Sequence, residues 1–205
     1  MRDPVLIWDL DGTLLDSYDV IASSLHETLA EFQVPMPLEE VRRLAKEGSV
    51  SAVTALAAEK SGRPAGEIQA RYSVISGGRY LEIPVMRHGR EILEETAALG
   101  AVHFVYTHRG KTAGPVLEHL GLQRYFREVV TSQNGFPRKP SPDALRYLLE
   151  KHGLDRERVF YVGDRSLDME CAKNAGVRGI LFSPSGAGAA DHVVRDLLEI
   201  KDLIG

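Results

Sequence analysis

The chain has 205 residues, enough for one substantial core and an insertion. Its 43% hydrophobic and 26% charged residues are ordinary for a folded protein, and a net charge of -4 gives no basic footprint for nucleic acid or an anionic membrane. The one cysteine, Cys171, rules out an intramolecular disulfide and a thiolate metal cage.

Val5-Leu6-Ile7-Trp8 is a continuous apolar run that stops at Asp9. Continuous apolarity suits a strand buried on both faces, as in a parallel sheet. This opening is too short and too charged for a signal peptide, and no later stretch is long enough to span a bilayer. The expectation is a cytoplasmic protein. From about Asp16 to Pro84 the patterns are wholly helical: Ser17 to Phe32, Leu38 to Lys46, Ser51 to Lys60 and Ala65 to Tyr80. Pro35, Pro37, Gly48, Gly62 and Pro64 punctuate them.

Strand-like runs then recur at Val102 to Tyr106, Glu128 to Thr131, Val159 to Val162 and Gly179 to Phe182. Helical patterns lie at Glu91 to Leu99, Ala113 to Leu120, Pro142 to His152 and Leu167 to Ala175. Ser141 as N-cap, Pro142 at the first helical position and Gly153 past the end frame one of them. The alternation predicts an α/β, doubly wound parallel sheet with a Rossmann-like core over 1–15 and 84–205. A separate helical domain is inserted at 16–83, with hinges at Leu14 to Ser17 and Ile83 to Val85. Ser183 to Ala190 reads as a flexible Gly/Ser/Ala-rich loop.

In such a sheet ligands bind at the carboxyl ends of the strands. The polar residues ending the runs are Asp9, Thr107 and Asp164, with Lys139 in the loop after the third. Asp9-Leu10-Asp11-Gly12-Thr13 puts two carboxylates at one strand end. Gly163-Asp164-Arg165-Ser166-Leu167-Asp168 places a second acidic group where a helix begins. Thr107 leaves a buried strand toward a helix start, where its hydroxyl and the following N–H groups suit phosphate oxygens. Prolines on both sides of Lys139 stiffen its backbone. Each motif alone has a plain structural reading: a turn, a helix cap, a strand end, a solvated lysine. Together they resemble a phosphoryl-transfer site. Asp9, Asp11, Asp164 and Asp168 in one crevice would repel by about 4 kcal/mol per pair at 4 Å and an effective dielectric near 20. One lysine does not offset this; a hard divalent cation does, and all-oxygen ligands suit Mg²⁺.

These segments, in this order, resemble the haloacid dehalogenase superfamily of phosphotransferases, with DLDGTLLDS as the most specific match and the helical insertion placed like that family's small cap. The resemblance implies that Asp9 attacks phosphorus to give an aspartyl phosphate. Asp11 then protonates the leaving oxygen and later activates water. Thr107, His108 and the nearby backbone bind the phosphoryl group, and Lys139 stabilises its charge. Asp9, the main-chain carbonyl of Asp11 and Asp164 hold Mg²⁺, with Asp168 assisting. His108 departs from the Asn that many relatives carry there. With a carboxylate's reference pKa near 4, Asp9 is expected to be ionised already at pH 7 and to need no base. The cap would close over the crevice, with substrate choice near Arg43, Lys46 and Gly48.

The expected partner is a small phosphorylated metabolite, for a monomer or a homodimer. The alternatives are a β-phosphoglucomutase-like sugar-phosphate mutase, a phospho-acceptor signalling module and an inactive binding relative. A receiver module fits poorly, because here the nucleophile ends the first strand and a helical insertion follows it. Arg109 and Arg165 adjoin the motifs and suit either phosphate contact or local salt bridges. His26, His88, His103, His119, His152 and His192 show no ligand spacing, and Trp8 and Cys171 read as core.

Overall fold

The computed structural model describes residues 3–186 and 188–204. Residues 1, 2, 187 and 205 of the expected core domain lie outside them, as does Ala187 of the expected Ser183 to Ala190 loop. The chain divides into two compact units, one running to Asp16 and resuming at Val85, the other Ser17–Pro84. The junctions fall one residue later than the sequence pattern suggested.

Six parallel strands form the sheet of the first unit: β1 (Val5–Trp8), β2 (Val102–Tyr106), β3 (Phe126–Val130), β4 (Val159–Gly163), β5 (Arg178–Phe182) and β6 (His192–Val194), in spatial order β3-β2-β1-β4-β5-β6. β1 lies between β2 and β4, with Trp8 in register with Val105 on one side and Val162 on the other. Residues just past the ends of these three strands therefore emerge together. β3 starts at Phe126 and ends at Val130, against the expected Glu128 to Thr131. Its exposed Arg127 interrupts the apolar run and hid the first turn of the strand. β6 has no counterpart in the sequence reading. It is three residues long and follows a Gly/Ser/Ala-rich segment, so it offers no apolar run to detect. Pairing with β5 and the Ser183 N–H donated to the Val194 carbonyl at 2.8 Å hold it in place.

Alternation along β1 serves both faces of the sheet. Val5 and Ile7 join a core with Phe104, Tyr106 and Tyr161, with Leu145 and Leu148 of a helix at Asp143–His152, and with Ala172 of another at Ser166–Ala175. On the opposite face the Trp8 indole N–H donates to His103 Nδ1 at 3.0 Å. The other ring nitrogen of His103 lies 3.3 Å from the Thr96 hydroxyl, on the helix Gly89–Ala98. Burial lowers His103 to about 4, so it is a neutral structural link between two strands and a helix. The helix at 143 begins one residue later than expected. Pro142 occupies the cap position, and the Ser141 hydroxyl accepts the Asp143 N–H at 3.4 Å instead of capping the turn.

Past β1 the chain makes a tight loop. Gly12, at φ 82°, donates to the Leu15 carbonyl, while Leu15 N–H returns to Leu10 at 2.8 Å. An L side chain would be strained at that φ. Leu15 then bridges Val85 and Leu14 accepts the Met86 N–H, so the departing and returning segments run side by side.

The second unit holds four helices, Tyr18–Glu31, Leu38–Glu47, Val50–Ser61 and Ala65–Gly78. Ile21, Leu25 and Leu29 recur every fourth residue and form one stripe, packed with Val41, Val53, Ile68 and Tyr72 in a core of their own. Arg43 pairs with Glu47 at 2.8 Å, Lys46 lies over the Tyr18 ring, and Gly48 ends its helix. The Arg43–Glu47 pair is an i,i+4 contact on an exposed helix face, whereas Lys46 reaches a ring on the neighbouring helix.

Candidate active site

Asp9 continues β1 and is anchored by its own N–H, which donates to the Val162 carbonyl of β4 at 2.8 Å. Thr107 continues β2, with its N–H bonded to Val130 of β3 at 3.0 Å. Asp164 follows β4, and Asp168 sits in the first turn of the helix Ser166–Ala175. Carboxylate oxygens of Asp9, Asp164 and Asp168 all lie within 4.8 Å of one another. That spacing lets three ligand oxygens share one ion of the Mg²⁺ or Ca²⁺ size class, and a set of carboxylates alone selects a hard cation. The residues present fit a divalent metal.

Lys139 crosses this cluster. Its Nζ donates to Asp9 Oδ1 at 2.6 Å and to Asp168 Oδ1 at 2.8 Å, with all three side chains more than 90% buried. Burial alone would lower Lys139, but Asp168 and Asp9 outweigh it and hold the ammonium above its ordinary range. Asp9 moves the other way from expectation. Desolvation pushes its carboxyl up to about 8, Lys139 pulls against that, and Asp168 and Asp164 add to it. The sequence reading treated Asp9 as a reference carboxylate already ionised at neutral pH. Burial among like charges raises the carboxyl above that reference, so the anion is favoured by more positive charge than Lys139 alone supplies. A divalent cation on the three carboxylates is the complement.

Asp168 is hydrogen-bonded on both carboxylate oxygens. Oδ1 also accepts the Tyr161 hydroxyl at 3.2 Å, and Oδ2 accepts the Arg165 N–H at 3.2 Å. Gly163 makes room for it, because a Cβ there would lie 2.5 Å from Asp168 Cβ and Cγ. The loop presenting Lys139 is pinned from several sides. The Tyr106 hydroxyl donates to the Pro137 carbonyl at 3.4 Å, Asn174 donates to Pro140 at 3.0 Å, and the Lys139 N–H itself donates to His108 Nε2 at 2.9 Å. Burial, followed by the charges of Lys139, Arg138 and Arg165, lowers His108 to about 3. His108 is thus a neutral acceptor for the lysine backbone, an arrangement that leaves its Nδ1 to carry the proton. The rings of Tyr106 and Tyr161 flank the ammonium at 5.0 and 5.3 Å.

The Asp11 side chain is not in the carboxylate cluster. Its Oδ1 accepts Arg109 Nε at 3.2 Å and a second Arg109 N–H, so Arg109 makes a local salt bridge. Arg109 also reaches Thr112 Oγ1 at 3.2 Å, and its backbone N–H donates to Thr107 Oγ1 at 3.1 Å. The two tyrosines are the residues the sequence reading did not place at the site, whereas Arg109 already stood there as a candidate for phosphate contact or a salt bridge. Two tyrosines inside otherwise apolar strand runs were the available signal, since a buried hydroxyl requires a partner.

A family model for haloacid dehalogenase-like hydrolases matches residues 6–182. The chain belongs to this family. Among its relatives, a phosphoglycolate phosphatase of Rhodospirillum rubrum is 33% identical over 98% of this chain and 90% of that protein. Another phosphoglycolate phosphatase, from Agrobacterium fabrum, is 33% identical over 86% of this chain and 79% of that protein. The fold matches a predicted phosphoglycolate phosphatase from Haemophilus somnus with a TM-score of 0.87 at 22% identity, over 100% of this chain and 99% of that one. This haloacid dehalogenase-like hydrolase is an enzyme whose acidic strand-end cluster fits a divalent metal. No described helix is long and apolar enough to cross a membrane.

Proposed function

We propose that this hydrolase removes phosphate from a small phosphomonoester of the phosphoglycolate, sugar-phosphate or nucleotide type, through an aspartyl phosphate on Asp9. The observation that carries the reading is the buried Lys139 ammonium seated between Asp9 and Asp168, beside a third carboxylate from Asp164. Such a pocket holds one nucleophile, one fixed cation and a hard-oxygen cluster at a single strand edge.

Asp9 attacks phosphorus, and Lys139 offsets charge on the transferring oxygens. Thr107 and the N–H groups after it hold the phosphoryl group. The bond from phosphorus to the leaving oxygen breaks with its electron pair on that oxygen, which takes a proton from Asp11. In the second half Asp11 accepts a proton from the water that releases phosphate from Asp9. Mg²⁺ would be held by Asp9, Asp164, Asp168 and the main-chain carbonyl of Asp11. When bound, it supplies Lewis-acid charge neutralisation between an anionic nucleophile and an anionic phosphate. The names of the relatives favour phosphoglycolate as the first compound to try.

A panel of phosphoglycolate, sugar phosphates and nucleoside monophosphates, assayed for phosphate release with Mg²⁺, tests the reading. A hexose 1-phosphate with a trace of bisphosphate separates release of phosphate from its return to a bound intermediate. Metal-dependent phosphate release is expected, falling at least about a thousandfold in Asp9→Asn with folding intact. Full activity in that variant would overturn the mechanism.

A further inference from the structure

Arg109 ties Asp11 to the segment that follows Thr107. Its Nε and a terminal N–H both converge on Oδ1 of Asp11, a third N–H is braced by Thr112 Oγ1, and its backbone N–H is fixed on the hydroxyl of Thr107. The Arg109 side chain is only 10% exposed, whereas that of Asp11 is 25% exposed. Among the described residues Asp11 Oδ2 has no hydrogen-bond partner. One oxygen is therefore clamped and the other is presented. Asp11 sits in the loop just after Asp9, turned by Gly12, while Arg109 sits two residues after Thr107. The clamp thus spans the loop that carries the nucleophile and the loop that holds the transferring group.

We propose that Arg109 is a positioning residue that fixes Asp11 through Oδ1, so that Oδ2 faces the leaving oxygen and carries the proton transferred to it. The inference rests on the assignment of Asp11 as acid and base under the proposed function. A planar guanidinium suits the task because two of its N–H groups fix an oxygen in direction as well as distance, which an ammonium does not. In the step concerned, the bond between Asp9 and phosphorus forms as the bond to the ester oxygen breaks. The proton on Asp11 Oδ2 moves to that oxygen, leaving Asp11 as the carboxylate held by Arg109.

A misplaced proton donor harms a poor leaving group more than a good one, and this signature distinguishes positioning from phosphate binding or mere support of the fold. The experiment compares kcat/KM for phenyl phosphate and 4-nitrophenyl phosphate, whose phenolate is far less basic, in wild type, Arg109→Met, Arg109→Lys, Thr112→Val and Asp11→Asn. General acid catalysis is worth about 10²–10⁴-fold. Asp11→Asn should therefore lose about a hundredfold with phenyl phosphate and about tenfold less than that with the nitrophenyl ester. Arg109→Met should show the same skew, Arg109→Lys should recover part of it, and Thr112→Val should show a weaker skew of the same sign. If Arg109→Met slows both esters by one common factor, or neither, while Asp11→Asn keeps its skew, the positioning role is overturned and the acid assignment stands. If Asp11→Asn shows no skew, the acid assignment itself falls, and the role of Arg109 with it. Should Arg109→Met fail to fold, Arg109→Lys and Thr112→Val decide the matter by the same ratio.

Discussion

Lys139 is buried between Asp9 and Asp168, so it is the member of the cluster that the others cannot spare. Removing one partner of a buried ion pair costs about 3–5 kcal/mol, because the remaining charge is left uncompensated. Gly163 shows how closely the backbone is fitted to them. A methyl group at that position would meet the Asp168 side chain at 2.5 Å, well inside contact distance. Asp168 is held by Lys139, Tyr161 and Arg165 at once, so it cannot move away cheaply. Gly163→Ala is expected to cost about 1–3 kcal/mol in denaturant unfolding and to raise the metal concentration needed for half-maximal activity. Unchanged stability and metal dependence would show that Asp168 has room to shift.

At the scale of elements, the ends of β1, β2 and β4 gather the site because these strands are neighbours and in register. On the other face, His103 of β2 ties Trp8 of β1 to Thr96 of the helix Gly89–Ala98. That link sets a pH dependence whose sign follows from burial. His103 titrates near 4 when folded, against an ordinary value near 6.5 in the unfolded chain. The unfolded state therefore takes up a proton as pH falls below 6.5 while the folded state does not. Stability held at neutral pH is lost across this window, by about 2 kcal/mol between pH 7 and pH 5. His108 is depressed as well, so the contribution of His103 is read as a difference. His103→Asn keeps an acceptor for Trp8 and should flatten the pH dependence of unfolding between 7 and 5; an unaltered slope would contradict the role given to His103. Legibility differs by element for plain reasons. β1, β2 and β4 were visible because both faces are buried, which leaves runs of aliphatic and aromatic residues broken only by His103 in β2. β6 was not, since a three-residue edge strand needs no apolar run, and β3 was clipped where an exposed arginine broke the pattern.

For the whole chain, three carboxylates meet from residues 9, 164 and 168, so a cation held there binds the folded state and not the unfolded one. Linkage then stabilises the protein by about 2.7 kcal/mol at a hundred times the dissociation constant. Thermal unfolding with MgCl₂ against EDTA should show a rise in Tm that Asp164→Asn loses; an equal rise in that variant would move the metal elsewhere. The position of Asp164 was readable in the sequence, because polar residues at the ends of apolar runs must emerge at one edge of a parallel sheet. The pairing of Asp11 with Arg109 was not readable, since nothing in the spacing of residues 98 positions apart says which acid an arginine will face. The raised carboxyl of Asp9 was hidden for a related reason, because desolvation depends on the walls of the pocket and not on the residue. The most direct measurement is an acid quench of the working enzyme within one turnover of a phosphomonoester, followed by peptide mapping by mass. A phosphoryl group on the peptide containing Asp9, absent in Asp9→Asn, is the expected result. A phosphoryl group on another residue, or none with turnover preserved in Asp9→Asn, would contradict it.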